Sequence, residues 1–244
     1  MSLRATGAVA SRVLTQLRRD PRTIALILGV PCVLETLLKE IFAGRSEVFQ
    51  HTGAPLLGLF PFVTMFLVTS ITMLRERTSG TLERLMTLPL GKLDLLAGYG
   101  AAFAVVAAVQ SAVVSALTFG ALGLDVQGSR PLVAVLAVAN AVLGTALGLF
   151  VSAFARSEFQ AVQFLPATVF PQILLCGLFV PRGQMAGWLR WLSDALPLTY
   201  AYDALAHAAA GDVDTRFAVD AGVVCGCIAL ALALGAATLR RRTD

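Results

Sequence analysis

Six stretches of this chain are apolar over close to the length that crosses a lipid bilayer, and that constraint outranks every other feature of the sequence. A helix rises 1.5 Å per residue, so about 20 apolar residues span the hydrocarbon core. The stretches are 23–42, 54–74, 97–122, 131–155, 161–181 and 217–239. The first is the most polar, carrying Glu35, Lys39 and Glu40 in its second half. Only 14% of the 244 residues are charged, against about 25% in an ordinary soluble domain. The pattern predicts an all-α membrane protein: a single domain over 1–244 with six transmembrane helices.

Loops between the stretches are short, so neighbouring spans run antiparallel and six of them return both ends to one side. Charge chooses the side. With the termini inside, 13 Lys and Arg fall on the inner segments and six on the outer ones, and the cytoplasmic face is the one that carries the excess. Both termini and the 75–96 loop are therefore expected to be cytoplasmic. The net charge of +4 does not point to nucleic acid, because the basic residues flank apolar runs and do not form a stripe. Arg outnumbers Lys by 17 to 2 in an Ala-, Val- and Gly-rich chain, a bias typical of GC-rich bacterial genomes. Cys32, Cys176, Cys225 and Cys227 all lie in apolar runs and read as packing residues. The first 22 residues lack the short apolar core and cleavage site of a signal peptide.

Two segments are amphipathic without spanning. Over 6–19, Val9, Val13, Leu14 and Leu17 share a face and Arg12, Arg18 and Arg19 lie elsewhere, which suits a helix in the cytoplasmic interface with its arginines near anionic headgroups. Over 182–210, Trp188, Trp191, Tyr200 and Tyr202 favour the outer membrane–water boundary. Pro197 divides that stretch into two short helices, re-entrant or interfacial. The inner loop RERTSGTLERLMTLPLGKLDLL, residues 75–96, contains a third short helix. Gly80 precedes it, Glu83 follows three positions on, Leu82, Leu85 and Met86 form one apolar face, and Pro89 ends it. A helix so short is not stable alone in water and needs a surface to dock on. Its mixed charges, including Glu76, Glu83 and Arg84, favour a protein partner over an anionic lipid surface.

RERTSGTLERLMTLPL at 75–90 resembles the E-R-x-x-G-T-L-E-x-L segment that closes the second span of ABC-2-type transporter permeases, a family that includes drug- and antibiotic-export permeases. GLFVPRGQMAGWLRWLSDALPLTYAYDAL at 177–205 is similar to that family's signature between spans five and six, and RRDPRT at 18–23 is a weaker match before the first span. The resemblance implies a six-span permease that dimerises, with a second copy or a similar permease, and pairs with two cytoplasmic ATPase subunits. It makes 79–89 the coupling helix and 6–19 an interfacial elbow helix. The coupling role would fall to Glu76, Gly80, Thr81, Leu82, Glu83, Arg84 and Met86. ATP and magnesium would belong to the partner, with no cofactor in this chain, and export of a drug, antibiotic or lipid-like molecule across a bacterial cell membrane is implied. Ala186 stands where the family often has Pro, and Glu35 where the first span is usually apolar.

Polar residues inside the spans supply the candidates for a pathway. Glu35 and Lys39 lie four apart on one helix face and can pair. Glu35 sits about 18 Å along the helix from Thr23, where a charge marks either a buried pair or a site facing a polar or cationic substrate. Gln110, Asn140 and Gln172 lie in three further spans and read as interhelical hydrogen-bonding groups or pathway residues. Gly144-x-x-x-Gly148 and Gly222-x-x-x-Gly226 allow close helix approach, and Pro166 and Pro171 predict a kink in the fifth span. No G-x-x-x-x-G-K-[ST] phosphate loop and no H-E-x-x-H occurs. Their absence, with that of clustered acids or histidines at the membrane face, argues against a membrane-embedded enzyme. An ion-gradient-driven secondary transporter would show inverted repeats and would leave the inner-loop helix without a role.

Overall fold

The computed structural model describes residues 3–81, Arg84 and 91–238, and consists of helices joined by short turns and loops, with no strand among those residues. Four helices are long and apolar enough to cross a membrane: Ser46–Thr78, Asp94–Ala121, Arg130–Val151 and Thr215–Thr238. Together with the exposed Val and Leu residues on their outer faces, they make this a membrane protein. The other two expected spans are also helical. One forms a single helix, Pro21–Ile41, and the other is broken over 158–175.

Helix α1 (Leu3–Arg18) is amphipathic and buries Val9 and Val13. Asp20 ends the turn that follows and caps α2 (Pro21–Ile41), accepting from the Thr23 backbone N–H at 3.2 Å and the Thr23 hydroxyl at 2.6 Å. Pro21 opens the helix at a position where the missing N–H costs nothing. Helix α3 (Ser46–Thr78) has 33 residues. At 1.5 Å per residue it is about 50 Å long, well beyond the roughly 30 Å hydrocarbon core, so it projects beyond the expected 54–74 span at both ends. Helix α4 (Lys92–Ala116) ends in a π turn, Leu117–Ala121, and α5 runs over Arg130–Val151. The segment expected as a fifth span is three pieces, α6 (Glu158–Phe164), a π turn at Leu165–Val169 and α7 (Phe170–Leu175). Pro166 and Pro171 remove the N–H groups that a continuous α-helix there would need. Helices α8 (Gly187–Asp194) and α9 (Pro197–Ala210) follow, separated at Pro197 as expected, and α10 (Thr215–Thr238) comes after them.

Helix α3 is the axis of the bundle, packed along α5 and flanked by α2, α4 and α9. Glycine makes the α3–α5 contact possible. A Cβ at Gly144 would lie 2.2 Å from the Phe62 carbonyl oxygen, and one at Gly148 would lie 2.2 Å from the Thr69 hydroxyl. The second glycine pair does nothing comparable, since no atom lies within 4 Å of a Cβ at Gly222 or Gly226. Four apolar clusters lie among the described residues, the smallest being Leu74 with Ala155 and Ala161. One is built on Met65, Tyr99 and Phe103, a second on Phe62, Phe66 and Leu143, and a third on Phe49, Leu57 and Leu205. All four cysteines are free.

Candidate functional site

Two features stand out, an ionic joint at one end of the bundle and an apolar groove toward the other. The joint forms where α1 crosses the ends of α3 and α4. Arg12 Nη2 donates to both oxygens of Glu76 at 3.1 Å, and its Nη1 donates to the Tyr99 hydroxyl at 3.4 Å. Glu76 is almost fully buried, its side chain 5% exposed, whereas Arg12 keeps 34%. Burial is the largest single influence on Arg12 and would lower its pKa, but the hydrogen bonds to Glu76 and Tyr99 and the attraction of both groups together outweigh it, so the guanidinium sits above its ordinary value. A polar cavity of about 90 Å³ lies alongside, lined by Gln16, Asp20, Thr23, Arg75 and Glu76 among others. One residue from Glu76, Arg75 clasps Glu158 on α6 through two hydrogen bonds of 2.7 and 2.9 Å. Helix α3 is thereby tied to α1, α4 and α6 within one turn of its end.

Immediately beyond, Gly80 sits at φ +72°, a left-handed conformation that glycine adopts without a Cβ penalty at the end of a helix. The same glycine opens the next turn, its carbonyl accepting from the Arg84 N–H at 3.1 Å. The Ser79 and Thr81 hydroxyls bond across it at 2.9 Å. Leu82, Glu83 and Met86 lie outside the described residues, so the expected capping contact of Glu83 and the apolar face of the 79–89 helix do too. Arg77 is partly buried, and its Nε and Nη2 have no hydrogen-bond partner among the described residues. Burial pushes its pKa below the ordinary arginine value.

The groove has a volume of about 500 Å³ and runs between α2, α3 and α7. Leu34 and Leu38 form one wall, Leu56 and Phe60 the second, Phe170 and Phe179 the third, with Thr52 and Thr64 as its polar residues. None of the intramembrane polar residues singled out in the sequence lines it. Glu35 belongs to the opposite, buried stripe of α2 with Ile27 and Pro31, and both of its oxygens lack a hydrogen-bond partner among the described residues. The expected Glu35–Lys39 pair is not formed. Lys39 turns toward α3, where its Nζ lies 4.9 Å from the centre of the Phe49 ring, a cation–π contact. Gln110 donates from Nε2 to the Ile27 carbonyl at 2.7 Å, joining α4 to α2. Gln172 is buried against α9 and accepts from the Leu198 N–H at 3.4 Å, and Asn140 is buried beside Gly58 of α3.

Sequence reading missed four ionic contacts, the last being that of Arg130 with Asp125 at 3.0 Å. Arg12 and Tyr99 were not joined to Glu76, Arg75 was not joined to Glu158, and Arg182 bridges Asp194 and Asp203 at the far end, the latter at 2.8 Å. The first two contacts span 64 and 83 residues of sequence. The third could have been suspected, because all its members fall in one short motif-bearing block.

Residues 4–209 match the family model described as ABC-2 type transporter. This chain belongs to that family. The ABC-2 chain is 25% identical over 173 residues to ABC transporter G family member 20 of Dictyostelium discoideum, an alignment covering 70% of this chain and 24% of that protein. It is 28% identical over 148 residues to the probable multidrug ABC transporter permease YbhR of Escherichia coli (strain K12), covering 61% and 40% of the two. It is 27% identical over 141 residues to the inner membrane transport permease YhhJ of the same organism, covering 57% and 38%. The ABC-2 chain thus spans well under half the length of these curated relatives.

Proposed function

We propose that the chain is the membrane-spanning permease of an ABC exporter that works with separate cytoplasmic ATPase subunits. The observation that carries this reading is the ionic joint of Arg12, Glu76 and Tyr99, placed where α3 runs into the 79–89 segment. A docked partner moving that segment would push on a helix already tied to α1, α4 and α6. In this reading α2 and the broken 158–175 segment complete six spans with the four long apolar helices. Helix α1 lies in the cytoplasmic interface, 79–89 is the coupling helix, and both termini face the cytoplasm of a bacterial cell.

ATP binding in the partner can shift the permease only through its differential affinity for two permease states. The coupling helix, with Gly80, Thr81, Leu82, Glu83, Arg84 and Met86, is the element that senses that difference. The 500 Å³ groove suits an amphipathic, drug-like or lipid-like cargo, or the abutting face of a second permease copy. Glu35, Gln110, Asn140 and Gln172 act inside the bundle, where rearrangement of α2 against α3 and α4 would alter their contacts. Lys39 acts at the Phe49 end of the same interface. The multidrug description of the E. coli relative supports a drug-like cargo.

The test is co-purification with a candidate ABC ATPase, reconstitution, and measurement of ATP hydrolysis across a panel of amphipathic compounds. Arg84→Ala should lower stimulated hydrolysis several-fold while insertion and complex size stay unchanged. Unaltered stimulation in that variant would remove 79–89 from the coupling path.

A further inference from the structure

A second apolar groove, separate from the one described above, lies between α1, α2 and α4. Its volume is about 190 Å³, and its walls include Leu14 and Leu17 of α1, Ile24 and Leu28 of α2, and Val105 and Val109 of α4. Arg18 is the one polar residue among those lining it. The groove is open along its side, with Val105 and Val109 each about half exposed. Gln110 closes α4 onto α2 beside it through the bond to the Ile27 carbonyl.

Charge is concentrated at one end. Arg18, Arg19 and Arg22 are exposed, and no carboxylate pairs with any of the three among the described residues. The acid between them, Asp20, is already engaged by the Thr23 backbone and hydroxyl. The α1–α2 corner therefore presents three cations beside an apolar cleft whose α2 wall, Ile24 to Leu28, lies in the first turns of that helix. A free anion would satisfy the arginines and leave the cleft empty, and a neutral lipid would fill the cleft and leave the arginines unanswered.

The geometry points to a binding site for one anionic phospholipid, its acyl chain in the α1–α2–α4 groove and its phosphate against Arg18 with Arg19 and Arg22 around it. The leaflet rests on the orientation proposed above, which makes it the cytoplasmic one. A lipid seated there holds the interfacial helix against the first span, because α1 supplies both the Arg18 clamp and one apolar wall. The joint of Arg12 with Glu76 lies on the same helix, so headgroup occupancy and the proposed coupling element share a support.

The full chain, purified in a mild non-ionic detergent, is titrated with phosphatidylglycerol or phosphatidylcholine of matched acyl chains and read by native mass spectrometry. Phosphatidylglycerol should bind in preference, and Arg18→Gln should weaken it about fivefold, the loss of roughly one basic contact with an anionic surface, with phosphatidylcholine unaffected. Val105→Trp, which fills the groove from an exposed position, should reduce binding of both lipids in a protein with unchanged size-exclusion profile. Equal affinity for the two lipids would overturn the assignment, as would unchanged phosphatidylglycerol binding in Arg18→Gln. Competition by millimolar inorganic phosphate would reassign the site to a free anion, and a change of oligomeric state without a change in lipid count in Val105→Trp would reassign it to a second copy. None of these readouts requires the ATPase, so failure of the exporter reading and failure of the lipid site remain distinguishable.

Discussion

The Arg12–Glu76 contact makes a quantitative prediction about how the end of α3 is held. Charges 3.1 Å apart attract by about 5 kcal/mol at an effective dielectric near 20. Most of that is offset by the desolvation of Glu76, whose side chain is 5% exposed. Breaking a buried pair costs about 3–5 kcal/mol, because the remaining charge stays buried without a partner. Here water reaches Arg12, 34% exposed, which lowers the expected cost of Arg12→Ala to about 2–3 kcal/mol. Glu76→Gln is milder, at about 1 kcal/mol, since the amide keeps an acceptor oxygen and the freed guanidinium can turn to solvent. Once Glu76 is neutral, removing Arg12 leaves no buried charge, so the double variant should be more stable than the sum of the single losses by about 1–2 kcal/mol. Reversible unfolding in mixed micelles, with all four proteins extrapolated to the same detergent composition, measures this cycle. Additivity within about 0.5 kcal/mol would mean that the two side chains do not act as a pair, and the ionic joint would lose its place in the coupling path.

Two further outcomes follow from the same geometry. Gly144→Val should destabilise the bundle by about 1–3 kcal/mol or block its assembly, because a Cβ there meets the Phe62 carbonyl at 2.2 Å. Gly222→Val, where nothing lies within 4 Å, should be neutral in the same thermal-shift comparison, and a reversed order would show that α3 and α5 do not pack through glycine. The Arg75–Glu158 bridge, 61% and 53% exposed, should contribute only about 0.2–1 kcal/mol. The hydrogen bond from Arg75 holds the Glu158 carboxyl below its ordinary value. Its contribution is therefore fully present above the unfolded carboxylate pKa and is lost as pH falls through the depressed folded one. Glu158→Gln should erase that acid-limb loss, and the difference from wild type should shrink at high salt.

Much of the architecture was legible before any coordinates. Apolar length located the helices because spanning a bilayer is a one-dimensional requirement, and proline marked the broken fifth span and the α8–α9 boundary because its ring acts on its own backbone. Gly80 sits where the chain turns after α3, which local chemistry decides within a few residues. Length alone did not give the ends of α3, which runs past its apolar stretch because helical hydrogen bonding continues where hydrophobicity stops. Side-chain partners were another matter. Glu35 and Lys39 share a helix face, yet the tertiary structure turns Lys39 onto Phe49 and leaves Glu35 among buried residues, since neighbouring helices choose the partner that lies closest in space. Of two identical glycine spacings, only Gly144 and Gly148 meet another helix. Periodicity states which residues share a face, and only the packed bundle decides what that face touches.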